Sequence, residues 1–141
     1  MNLKNINIGE LIKNKVNESE ISVLRICKFF KCTENYIDEV YRSKSIDTEN
    51  LLKWSKLLEY DFFRLYSGHL IIYAPFDNKI LKEKRDTSSL PHFKKHVYTH
   101  EIIAFIVEQI RSEAKTRKQI VEEYGIPKTT LSRWLMKYAD Q

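Results

Sequence analysis

The sequence predicts an all-α chain of two small helical units joined by a basic segment, and three observations carry that prediction. Apolar residues recur at helical spacing from Ile8 to Tyr66 and again from Thr99 onward. The stretch between them has no sustained period and holds two of the three prolines. The composition, 43% hydrophobic and 12% aromatic with only three glycines in 141 residues, suits folded helices rather than a disordered or all-β chain. The units are read as residues 1–73 and 98–141, with a linker over 74–97.

In the first unit the period predicts five helices. The first carries Leu11, Ile12 and Val16, the second Ile26, Cys27 and Phe30, and the third Ile37, Val40 and Tyr41. Leu51, Trp54, Ser55 and Leu58 fall at i, i+3, i+4 and i+7 in the fourth, and Phe62, Phe63 and Leu65 make a short fifth turn. Ser22, Thr33 and either Asp47 or Thr48 are N-cap candidates, because their side-chain oxygens can accept from free backbone amides. The following HLIIY reads equally as a short strand or as the tail of this unit.

The linker is the most basic part of the chain. Net charge is +5 overall, and residues 73–98 hold six lysines and arginines against three carboxylates. Such a balance permits a polyanionic partner without identifying one.

In the second unit Ile102, Ile103, Ile106 and Ile110 share one face, followed by Ile120, Val121 and Tyr124, then Leu131, Trp134, Leu135 and Tyr138. Three helices result. Thr116 and Gln119 have capping-box spacing, Gly125 is a helix stop, and Pro127 suits the opening of the next helix.

The run TRKQIVEEYGIPKTTLSRWLMKY meets the needs of a helix-turn-helix, two short helices packed steeply across a tight turn. Ile120, Tyr124, Ile126, Leu131 and Trp134 take the core positions, Val121 the tight contact and Gly125 the turn. Lys128, Thr129, Ser132, Arg133 and Lys137 then face outward, a short, polar and basic set of the kind that contacts phosphates and base edges. IVEEYGIPKTTLSRWL resembles the helix-turn-helix of small bacterial transposase-associated proteins, a homeodomain-like three-helix fold, over about residues 99–139. The resemblance implies that the last helix enters the major groove of double-stranded DNA, with Lys128, Thr129, Ser132 and Arg133 as base or phosphate contacts; Thr130, Lys137 and Arg117 are further candidate contacts. The alternative is a solvated basic face on an ordinary three-helix bundle.

VLRICKFFKCTENYIDEVYRSKS fits a second helix-turn-helix, with Ile26, Phe30, Cys32, Ile37 and Val40 inward and Cys27 as the small contact residue. Together with SIDTENLLKWSKLLEYDFFRLYS it resembles the lambda-repressor/Cro-like (Xre-type) family over about residues 6–68. Two features depart from that family. Lys31 stands where a turn glycine is usual, and the outward face of the third helix holds Glu34, Asp38 and Glu39, which phosphates repel. Asn35, Tyr36, Arg42 and Lys44 are the candidate DNA contacts there, and a dimerisation or docking surface is the alternative. In the linker Lys82, Lys84 and Arg85 are candidate phosphate contacts.

Other chemistries find little support. His92, His96 and His100 repeat every four residues, but Pro91 and the linker composition interrupt any helix that would align them, so neither metal nor cofactor is expected. Cys27 and Cys32 sit in a periodic apolar pattern and read as reduced core residues. No phosphate-cradling glycine loop or nucleophile elbow occurs, and metal-dependent strand cleavage needs carboxylates on a sheet-containing domain for which no residues remain. No apolar run is long enough to span a bilayer, and the opening residues lack the apolar core of a signal peptide. The expectation is a non-enzymatic cytoplasmic protein that binds specific DNA, as a transcriptional regulator or the recognition subunit of an insertion element. Its protein partner would be a second copy or a separate transposase or regulatory polypeptide. The alternative is an adaptor whose first unit docks protein while the second tethers it to DNA.

Overall fold

The computed structural model describes residues 3–74, 89–91 and 98–138. Among these every regular element is a helix: α1 (Ile8–Ser19), α2 (Val23–Phe30), α3 (Glu34–Arg42), α4 (Thr48–Leu57), α5 (Phe63–Tyr73), α6 (His100–Arg111), α7 (Arg117–Tyr124) and α8 (Lys128–Lys137). The chain divides into two compact units, residues 2–67 and 68–141, with the boundary inside α5. No helix among the described residues is long and apolar enough to cross a membrane.

In the first unit most buried side chains are ones the helical period singles out, although Leu11, Phe30 and Tyr41 of that set are half-buried and Ile8 is buried as well. Ile12 and Val16 of α1, Ile26 of α2, Ile37 and Val40 of α3, and Leu51 and Trp54 of α4 meet in one core. Trp54 is its largest member, with the Phe30 ring at 4.6 Å and the Tyr41 ring at 6.3 Å between centroids. Ser55, on the same face, is half-buried and donates its hydroxyl to the Leu51 carbonyl at 2.9 Å.

The closest approach is between α1 and the end of α3. The Gly9 amide donates to the Ser43 carbonyl at 3.1 Å and the Ile8 amide to the Lys44 carbonyl at 3.4 Å. These are amides that α1 cannot satisfy internally, matched to carbonyls beyond the last turn of α3. Position 9 admits only glycine at this distance, since a Cβ would meet the carbonyl oxygens of Val40, Ser43 and Tyr41 at 2.2, 2.4 and 2.8 Å.

The helix ends follow local chemistry. Ser22 accepts from the Arg25 amide at 3.3 Å, and Asp47, rather than Thr48, caps α4 by accepting from the Asn50 amide at 2.9 Å. Thr33 holds the N-cap position of α3 without a side-chain capping bond. Lys31 adopts the left-handed conformation (φ 53°), and the Cys32 amide beyond it donates to the Cys27 carbonyl at 3.1 Å, as in a Schellman helix end.

Two expectations are corrected. Helix α5 is no short turn: the stretch HLIIY continues it as helix to Tyr73, with Ile72 buried. A short apolar run carries no period that separates strand from helix. Cys27, within α2, and Cys32, just past its end, are half-buried rather than fully in the core. Partial burial, with Cys27 beside it, pushes the Cys32 thiol above its ordinary range.

In the second unit Ile102, Ile106 and Val107 of α6 are buried with Ile120 of α7, Ile126, and Leu131 and Trp134 of α8. Ile103 and Ile110, expected on the same face as Ile102, are half-buried instead. The Tyr98 ring stands edge-on to Trp134 at 4.8 Å, and its burial raises the phenol's pKa. Arg111 closes the far end by donating to the carbonyl of Tyr138.

Candidate nucleic-acid interface

Helices α7 and α8 are set by their termini. Thr116 Oγ1 accepts from the Gln119 amide at 3.3 Å while Gln119 Oε1 accepts from the Thr116 amide at 2.8 Å, a reciprocal capping box. Gly125 ends α7 in the left-handed conformation (φ 64°), which glycine adopts without a Cβ penalty. Ile126 then turns into the core and Pro127 precedes α8. Pro127 offers no side-chain acceptor, so the first turn of α8 presents uncapped amides at the positive end of its dipole.

With Leu131 and Trp134 buried, the opposite side of α8 is fixed. Lys128, Thr129, Ser132, Arg133 and Lys137 are all exposed, and Thr130 is half-buried at the margin. Thr129, Ser132, Arg133 and Met136 fall at i, i+3, i+4 and i+7, so they line up along one face. Met136, 73% exposed, joins the expected contacts there as an addition. Its signal is the same periodicity, read from the outward residues instead of the buried ones.

Charge on this side is uncompensated. Helix α8 contains no carboxylate, and among the described residues no ion pair engages Lys128, Arg133 or Arg117. Two neighbouring cations differ: Lys118 of α7 lies 3.9 Å from Glu122, and Lys115, just ahead of α7, is held by Glu123, which raises the ammonium's pKa. Lys137 Nζ lies 5.6 Å from the centroid of the Tyr138 ring. Arg117, in the first turn of α7, is exposed.

On α3 the corresponding set is Asn35, Asp38, Glu39 and Arg42, again at i, i+3, i+4 and i+7 and all exposed. Two carboxylates thus separate Asn35 from Arg42, and Glu34 adds a third in the first turn. Tyr36 is half-buried, whereas Lys44 is exposed. Lys82, Lys84 and Arg85, with His92 and His96, lie outside the described residues.

Comparison with protein-family models, with curated proteins and with solved structures finds no match to this chain.

Proposed function

We propose that the chain is a sequence-specific DNA-binding protein that reads the major groove with α8, serving as a transcriptional regulator or as the recognition subunit of an insertion element. In this reading the units are a lambda-repressor-like bundle and a homeodomain-like helix-turn-helix, joined by a basic linker. The carrying observation is the outward side of α8, where Lys128, Thr129, Ser132, Arg133 and Lys137 are exposed on a helix without a carboxylate. Cations and hydroxyls there supply phosphate contacts, and Arg133 and Ser132 have the donors that base edges accept. Strand cleavage, where an insertion element requires it, belongs to a partner polypeptide.

The α3 face supports a second role for the first unit. Glu34, Asp38 and Glu39 are exposed where a reading helix would need cations, so this unit suits docking of protein, whether a second copy or a separate transposase or regulatory polypeptide. If that is its main task, the chain is an adaptor tethered to DNA by α8.

The test is selection of bound duplexes from a random library with the full chain, followed by titration of the selected site at fixed salt. Arg133→Ala should weaken specific binding, by about 1–3 kcal/mol if the guanidinium reads a base. Equal affinity of the folded variant and the wild type would remove α8 from the role.

A further inference from the structure

Met136 is the anomaly of the α8 face. Burying a methionine is worth about 1.5–3 kcal/mol relative to leaving it in water, yet this one is 73% exposed amid hydroxyls and cations. It stands on the same line as Thr129, Ser132 and Arg133, one turn beyond the last two, and no carboxylate on the helix opposes an approaching polyanion.

We infer that Met136 is a specificity residue that recognises the C5-methyl group of thymine in the major groove, an assignment that rests on the proposed reading of DNA by α8. A thioether has no hydrogen to donate and accepts only weakly, so Met136 cannot read the donor and acceptor pattern of a base edge. Of the groups that the four bases present in the major groove, the thymine methyl is the apolar one. An exposed methionine carried into the groove therefore gains most by covering that methyl and loses little by leaving water. Its place along the helix sets the register. Three residues past Arg133 at about 1.5 Å each is roughly 4.5 Å, against about 3.4 Å per base-pair step. The thymine thus lies one to two base pairs from the base that Arg133 contacts.

The test starts from the duplex selected by the full chain and replaces each dT by dU in turn, which removes only the methyl. Wild type should lose about three- to fivefold in affinity at one position, the value of one buried methyl, and little at the others. Met136→Ala should bind the dT and dU duplexes alike, and Met136→Leu, still apolar, should keep the preference for dT. Equal binding of every dU duplex by wild type overturns the assignment, as does a preference that survives in Met136→Ala. Arg133→Ala separates the two levels. If it weakens specific binding while the methyl effect is missing, the DNA reading stands and the Met136 assignment alone falls. If no sequence is enriched at all, both fall.

Discussion

Gly9 lies so close to Val40 that a Cβ on the glycine would stand 2.2 Å from the Val40 carbonyl oxygen. Two further backbone carbonyls, of Ser43 and Tyr41, crowd the same point, and backbone atoms cannot swing aside as a side chain can. Gly9→Ala must therefore separate α1 from α3 and weaken the bonds from Ile8 and Gly9. The expected cost is at the upper end of the roughly 1–3 kcal/mol typical of overpacking. Chemical denaturation of the full chain checks it, and an unchanged midpoint for the transition of the first unit would refute the close approach.

Lys31 offers the opposite case. It holds φ 53° without a glycine's freedom, at a conformation that costs an L-residue roughly 1–2 kcal/mol. Lys31→Gly keeps the helix end and relieves that cost, against the greater chain entropy that glycine gives the unfolded state. A modest net stabilisation, up to about 1 kcal/mol, is expected in thermal melts. A destabilised variant would mean that the Lys31 side chain makes a compensating interaction.

The capping box at α7 can be taken apart. Thr116→Ala removes the acceptor for the Gln119 amide and should cost about 1 kcal/mol. Gln119→Ala removes the return bond, and the double variant should cost less than the sum, since each bond positions the other. Strict additivity in a double-mutant cycle would show the two bonds to be independent. In the proposed reading α7 supports α8, so these variants should also weaken DNA binding.

Acid should act on α4 through Asp47. Its carboxyl is held below the ordinary aspartate range by the Asn50 amide and side chain. A carboxylate whose folded pKa is depressed contributes stability that is complete above its unfolded value and disappears as the pH falls through the folded one. Stability of the wild type should thus decline through and below the usual carboxylate range. Asp47→Asn, which still caps but carries no charge, should flatten that decline; an identical acid limb would mean that Asp47 is not linked to folding.

If the linker contributes to DNA binding as proposed, its contribution should be one of charge. Replacing Lys82, Lys84 and Arg85 with Gln should weaken binding to selected and random duplexes by similar factors. The slope of log affinity against log salt should flatten by about 0.9 for each phosphate no longer neutralised. An unaltered slope would assign these cations to solubility.

Features whose cause is local are legible in the sequence. The left-handed positions at Lys31 and Gly125, the capping box at Thr116 and the buried stripe of Ile120, Leu131 and Trp134 each follow from neighbours a few residues away. Gly9 looks like any helical glycine, because what forbids a Cβ there comes from residues more than thirty positions on. The extent of α5 is hidden for a different reason, an apolar run without a period. Val107 is buried because the apolar face of α6 is wider than the line through Ile102 and Ile106. On the candidate interface the polar residues are visible as a set, whereas Met136 is indistinguishable by residue type from the apolar side chains of the stripe.

The seating of α1 on α3 also has a consequence for the order of events during synthesis. The amides of Ile8 and Gly9 find their acceptors at Lys44 and Ser43, so α1 has nothing to dock on until the chain past Lys44 has left the ribosome. At about 5–20 residues per second, that is a wait of a few seconds for a twelve-residue helix that is marginal alone. The α2–α3 pair, whose turn is closed by bonds within a few residues, can form first and present the finished end of α3 as a template. A chaperone that holds unfolded segments would therefore meet α1 still open after α2 and α3 have formed, although α1 is made before them.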